Sequence, residues 1–217
     1  MSKFLNIMKT IWSKISAFFK KNDDVFSLIW KLGVICLAVA LILSVTNLIT
    51  ADKIKQMEKA ASESAMKALI TADEYKRIDN SLLLQDEDTT FFEAETDNGV
   101  VGYIVETVAK GYGGEVKIMT AIGTDKKIIA VTVLAAPDET PGLGQNITKS
   151  AFLEQLKGKT EGVSVVRNGA DTEKNEIDAV TGATVSSRAV KSCIDEAFAA
   201  LNKYLEITAS GTVREVQ

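Results

Sequence analysis

Residues 32–51, LGVICLAVALILSVTNLITA, carry no charge, and this run constrains the fold more than any other stretch of the chain. Twenty residues at about 1.5 Å rise make a helix of about 30 Å, the thickness of a bilayer's hydrocarbon core. A buried helix of a soluble protein and a signal peptide are the competing readings. The block starts later than a signal peptide's apolar region, outlasts it, and lacks an Ala-x-Ala exit. No cysteine stands directly after it to carry a lipid. We therefore read an uncleaved, single-pass transmembrane anchor over 25–51. Six Lys and two Asp precede the apolar run, with Lys31 at its edge. The positive-inside rule then places the N-terminus in the cytoplasm and everything beyond residue 51 on the outer face of the cell membrane.

Residues 1–24 read as a basic amphipathic segment. Phe4, Leu5, Met8, Ile11, Trp12, Ile15, Phe18 and Phe19 recur at helical spacing between Lys3, Lys9, Lys14, Lys20 and Lys21. An anionic membrane surface or a partner protein would suit that face equally. Residues 52–75 form a connector rich in the helix formers Ala, Lys, Glu and Met. Ile54, Met57, Ala61, Ala65 and Ala68 share one face of it, so the helix is expected to continue outward and to pack on the following domain.

Composition removes several kinds of chemistry. The chain has 217 residues and no histidine, which excludes Ser-His-Asp and Cys-His catalysis and the usual zinc and haem sites. Of the two cysteines, Cys36 lies inside the apolar run, so neither a disulfide with Cys193 nor a cysteine-ligated cluster is expected, and no metal site is. Redox work would need an organic cofactor. Beyond residue 51 there are 19 basic and 27 acidic residues, a net charge of −8, which disfavours nucleic acid as a partner.

Residues 91–96, the hairpin signal Asp97-Asn98-Gly99, and residues 100–109 read as paired strands. Strands over 115–123 and 128–135 follow, joined by short turns that only antiparallel neighbours allow. A further strand is read at 163–167, then a polar loop to 176, and a short helix at 148–156. After residue 184, Val185, Ala189, Cys193, Ala197 and Leu201 make an apolar stripe running to about Tyr204. The class is α+β, a twisted antiparallel sheet with helices packed on it, preceded by one transmembrane helix. The outer domain covers 76–206, and a tail covers 207–217.

Three small-residue stretches stand out: Gly111-Tyr112-Gly113-Gly114, Glu139-Thr140-Pro141-Gly142-Leu143-Gly144, and Asp178-Ala179-Val180-Thr181-Gly182-Ala183-Thr184-Val185-Ser186-Ser187. Glycines allow positive φ and close approach of a ligand to the backbone, but tight turns use them too. Neither of the first two fits the dinucleotide or Walker glycine patterns. Hydroxyls opening a helix cap it, and the same free N–H groups hold phosphate. On these grounds alone, turns with a capped helix and a ligand site both remain open.

Asp-x-x-Thr-Gly-Ala-Thr resembles the flavinylation motif of the FMN-binding domain found in the G subunit of Rnf-type complexes and in the C subunit of the sodium-pumping NADH:quinone reductase. The other two stretches resemble loops of that domain and occur here in its order. The resemblance spans residues 99–200, and the N-terminal anchor is similar as well. It implies a covalent FMN on Thr184 through a phosphoester. Thr181, Gly182, Ala183, Thr140, Gly142, Leu143 and Gly144 would contact the cofactor, with Leu143 against the flavin ring. Asp178, Tyr112 and Ser187 are possible supports of the motif. The implied role is an electron relay in an Rnf-type complex that couples ferredoxin:NAD⁺ oxidoreduction to Na⁺ or H⁺ translocation, with no independent catalysis and no catalytic residue of its own. The implied partners are the other membrane subunits, and a flavin transferase during maturation. The alternatives are a flavoprotein like the C subunit of the quinone reductase and a cofactor-free membrane-tethered binding module.

Overall fold

The computed structural model describes residues 23–78 and 89–209. The basic segment over 1–24, but for its last two residues, and the tail from 210 on lie outside the described residues, while 207–209 continue the C-terminal helix. The chain divides after Glu58 into two compact units.

In the first unit, the helix α1 (Asp23–Leu69) begins. It is long and apolar enough to cross a membrane, by length and composition. Its large side chains face outward, Leu37 at 61% and Leu43 at 64% exposure, which is a cost in water and a gain in hydrocarbon. The hydroxyls of Thr46 and Thr50 turn back on the carbonyls of Ile42 and Thr46, at 2.8 and 2.7 Å. Such bonds satisfy a hydroxyl without water.

The second unit is a five-stranded antiparallel meander of β1 (Glu74–Ile78), β2 (Thr90–Thr96), β3 (Gly99–Lys110), β4 (Glu115–Gly123) and β5 (Ile128–Ala135), in that spatial order. The Asp97-Asn98 turn pairs Thr96 with Gly99, whose φ of 107° only glycine adopts readily. Alternation along β4 sends Val116, Ile118 and Ile122 to one core and Met119 and Ala121 to the other. The first core is closed by the long C-terminal helix (Thr184–Ala209), through Val190, Cys193, Ile194, Ala197, Phe198 and Leu201. Fully burying a Leu, Ile or Phe contributes about 1.5–3 kcal/mol each, so this stripe is a main anchor of the sheet.

The last turns of α1, from Lys59 onward, belong to this second unit and close the other core. The packing face differs from the stripe read in the sequence. Met66, Leu69 and Ile70 are buried, Ala61 and Ala68 are exposed, and Ile54 and Met57 are exposed within the first unit. Ala65, of the stripe read in the sequence, packs half-buried against this core beside Met66, Leu69 and Ile70, and Ser62 donates a hydrogen bond to the Glu106 carboxylate, 5% exposed.

Between β5 and the last helix, a 3₁₀ turn (Gly144–Thr148) is followed by a single α-turn designated α2 (Ser150–Leu153) and a second 3₁₀ turn (Glu154–Leu156), and these last two occupy the stretch over 148–156 read as one short helix. β6 (Ser164–Val166) pairs in parallel with β7 (Glu176–Asp178), where the polar pattern up to 176 reads as loop. β6 falls within the strand read at 163–167, whereas β7, only three residues long, carries too little periodicity to be seen. The long C-terminal helix is α3.

Candidate functional site

The turn before α3 is built by Ser187. Its Oγ accepts from Val180 N–H and donates to Ala183 O, both at 3.0 Å. Ala183 N–H bonds Val180 O at 2.9 Å, with Gly182 at φ +78°. That is a four-residue turn whose third position requires positive φ. The hydroxyls that follow do not cap the helix, contrary to the simplest chemical expectation. Thr184 is the first helical residue, half-buried, and its hydroxyl meets no partner among the described residues. Ser186 points elsewhere, to Glu139.

Glu139 joins the three stretches. It is 2% exposed. Its Oε1 accepts from Tyr112 N–H at 2.7 Å and from Gly113 N–H at 3.4 Å, and its Oε2 accepts from Ser186 Oγ at 2.7 Å. The glycines around it leave room for the carboxylate: a Cβ at Gly111 would lie 2.1 Å from Oε1, and one at Gly144 would lie 1.9 Å from Oε2. A Cβ at Gly113 would meet the Asp138 carbonyl oxygen at 1.8 Å. Pro141 and Gly142 sit at the centre of a turn closed by Leu143 N–H on Thr140 O at 3.1 Å, with Gly142 at φ +78°. The turn presents Leu143 to the α3 turn, where its Cδ2 would be 3.0 Å from a Cβ on Gly182.

A third loop comes from the β6–β7 pair. Ala179 N–H bonds Val166 O at 2.7 Å, and the Asp178 carboxylate accepts from Ala170 N–H at 2.9 Å. Arg167 and Asn168 lie between those two anchors.

These loops enclose a cleft of about 730 Å³, within the usual range for a cofactor site. Tyr112, Thr140, Leu143, Gly144, Thr181, Gly182, Ala183 and Thr184 line it. Gly142, Asp178 and Ser187 do not, and act through the turns just described. Sequence reading missed Glu139, Arg167, Asn168, Val180, Val185 and Ser186 as lining residues. Val185 in particular is not part of the core stripe: it is exposed and faces the cleft, while its neighbours Ser186 and Ser187 are buried. Beyond α1, Tyr112, Leu143 and Val185 are the exposed large apolar side chains of the described residues, at 74%, 46% and 48%. All three line the cleft. A flat apolar ring has surface to lie against, and at the start of α3 the first-turn N–H groups, which lack intrahelical acceptors, suit an anion. The residues present thus fit a flavin nucleotide.

Residues 111–199 match the FMN-binding domain family. Among curated relatives, the chain is similar to the G subunit of the proton-translocating ferredoxin:NAD(+) oxidoreductase complex of Clostridium ljungdahlii, 28% identical over 82% of this chain and 92% of that protein. It is also similar to the G subunit of the ion-translocating oxidoreductase complex of Shewanella baltica, 30% identical over 72% of this chain and 79% of that protein. Among solved structures, the C subunit of the Na(+)-translocating NADH-quinone reductase of Parabacteroides distasonis shares the fold, with a TM-score of 0.52 at 22% identity over 67% of this chain and 83% of that one.

Proposed function

The chain belongs to the G-subunit family of ion-translocating oxidoreductase complexes, and from that membership we propose how its outer domain does the family's work, with FMN held covalently by Thr184. It is an FMN-binding electron-transport subunit of an ion-translocating ferredoxin:NAD⁺ oxidoreductase, a membrane protein acting beside the other subunits of that complex.

The observation that carries the site is the meeting of three loops around a threonine hydroxyl that has no partner among the described residues. An ester between Thr184 Oγ and the FMN phosphate uses that hydroxyl and puts the phosphate at the start of α3, where backbone N–H groups and the helix dipole favour negative charge. Bound there, the flavin supplies one- and two-electron transfer. Leu143 then packs on the ring, Thr140 offers it polar contact, and Thr181, Gly182 and Ala183 let it approach the backbone. Gly142 and Gly144 shape the loop that brings Leu143 in. Ser187 and the Glu139 carboxylate hold the walls, and Tyr112 rims the opening. A tethered cofactor is not lost by dissociation, which matters if the domain stands on the outer face. The lysines before the apolar run support that orientation, with the N-terminus inside and a single pass. We assign installation of the cofactor to a separate flavin transferase: the chain has no histidine, and among the described residues the one carboxylate lining the cleft, Glu139, is engaged by Tyr112, Gly113 and Ser186 and makes no hydrogen bond to Thr184.

Intact mass of the purified chain, made in cells with a flavin transferase, tests this reading. The expected result is an increment of FMN less one water, and a denatured band that fluoresces under ultraviolet light. Thr184→Ala removes both. A Thr184→Ala band that still fluoresces moves the attachment elsewhere. A wild-type chain with no increment leaves the domain without covalent flavin.

A further inference from the structure

We propose that Arg167 is a phosphate-binding residue of the cleft, and that Asp178 is the positioning residue that holds it there; the proposal rests on the reading that the cleft carries FMN at Thr184. Arg167 is the only basic side chain among the described residues that line the cleft. It directly follows β6, whose Val166 is in parallel register with Asp178. The backbone is pinned on both sides of it by the segment that leads into the α3 turn. Upstream, Val166 O accepts from Ala179 N–H at 2.7 Å. Downstream, Ala170 N–H donates to Asp178 Oδ1 at 2.9 Å, after a bend at Gly169 with φ +79°. Thr184 lies six residues beyond Asp178, across one tight turn.

The charges within the cleft favour this assignment. The acidic side chain among the described residues that line the cleft is Glu139, whose oxygens already accept from Tyr112 N–H, Gly113 N–H and Ser186 Oγ. Asp178 spends an oxygen on backbone rather than on Arg167, and among the described residues Arg167 has no ion-pair partner. A guanidinium is planar, permanently charged and two-pronged, and a phosphodiester keeps two non-bridging oxygens and one negative charge. Arg167 therefore complements the N–H groups of α3 from the opposite strand, and Asp178 gains a purpose that a plain turn would not give it.

The test separates phosphate from ring. Full-length Thr184→Ala protein in detergent, unable to form the ester, is titrated with FMN and with riboflavin by fluorescence. FMN is expected to bind about tenfold more tightly, the size of one charge-assisted contact. Adding Arg167→Gln lowers that preference to the share the α3 N–H groups supply, while riboflavin still binds, which shows that the cleft is folded. Arg167→Lys keeps part of the preference, because it retains the charge but not the fork. Asp178→Ala lowers the preference and leaves riboflavin affinity in place. A preference undiminished by Arg167→Gln overturns the proposal. Its absence from Thr184→Ala, including failure to bind either flavin, does so too. An unchanged preference in Asp178→Ala overturns the positioning role. The mass of the wild-type chain reports separately on the parent reading: FMN less water present with an unmoved preference sinks the clamp alone.

Discussion

The hydroxyl of Ser186 donates to Oε2 of Glu139 at 2.7 Å, across 47 residues of chain and with both residues buried. This one bond ties the loop after β5 to the first turn of α3. Through the other oxygen of Glu139 it also ties the turn between β3 and β4 to both. Ser186→Ala removes a hydrogen bond to a charged group and is expected to cost about 2 kcal/mol of unfolding free energy. Glu139→Ala, which strips the acceptor from three donors, is expected to cost about 3 kcal/mol or more. Urea unfolding of the flavin-free protein measures both. A Ser186→Ala midpoint equal to wild type would mean that the contact does not hold the loops together.

Two glycines of the Glu139–Gly144 loop should respond differently to alanine. At Gly142 the space for a Cβ is open and only the positive φ resists, so Gly142→Ala costs about 1 kcal/mol. At Gly144 the methyl would displace the Glu139 carboxylate, so Gly144→Ala costs about 3 kcal/mol and opens the cleft. Equal losses in urea would show that carboxylate packing does not distinguish them.

Leu143 is exposed and leans on the cleft rather than the core. Leu143→Ala is expected to leave stability within about 0.5 kcal/mol of wild type, as at most surface positions, and to keep the covalent mass increment. On the proposed placement of Leu143 against the ring, the visible absorbance and circular dichroism of the flavin should change. Spectra indistinguishable from wild type would remove Leu143 from the ring's surroundings.

At the far end of α3, Tyr204 donates to Oε2 of Glu93 at 2.8 Å, inside a cluster with Phe91 and Tyr103. Burial first, and then the Glu93 carboxylate, push the Tyr204 phenol well above its ordinary value, and Tyr103 shifts the same way for the same reasons. Burial likewise lifts the Cys193 thiol from 9.0 to about 12. Each group binds its proton more tightly in the folded state, so its contribution is intact below the unfolded value and is lost as pH rises through the folded one. Stability should therefore hold to about pH 9, fall first through Cys193, and fall more steeply above about pH 10 as the tyrosines ionise in the unfolded chain. Cys193→Ala should remove the earlier phase, as followed by urea midpoints between about pH 8 and 11. A profile that stays flat across that range would contradict the burial of all three groups.

Local patterns were enough for much of this protein. Twenty uncharged residues dictate a helix that needs an apolar surround, and short turns between alternating strands leave only antiparallel pairing. Asp97-Asn98-Gly99 is a turn by its own backbone preferences, and the three small-residue stretches, taken in order, were legible as a resemblance to the FMN-binding domain family. What tertiary structure decided is long-range. That Glu139 is the hub, that Gly111 and Gly144 are small to admit its carboxylate, and that Asp178 pins the loop of Arg167 all depend on contacts between segments distant in sequence. The same holds for the fates of three neighbouring hydroxyls. Thr184, Ser186 and Ser187 look alike as letters, and only the direction each takes from the helix separates the one facing the cleft from the two that build it.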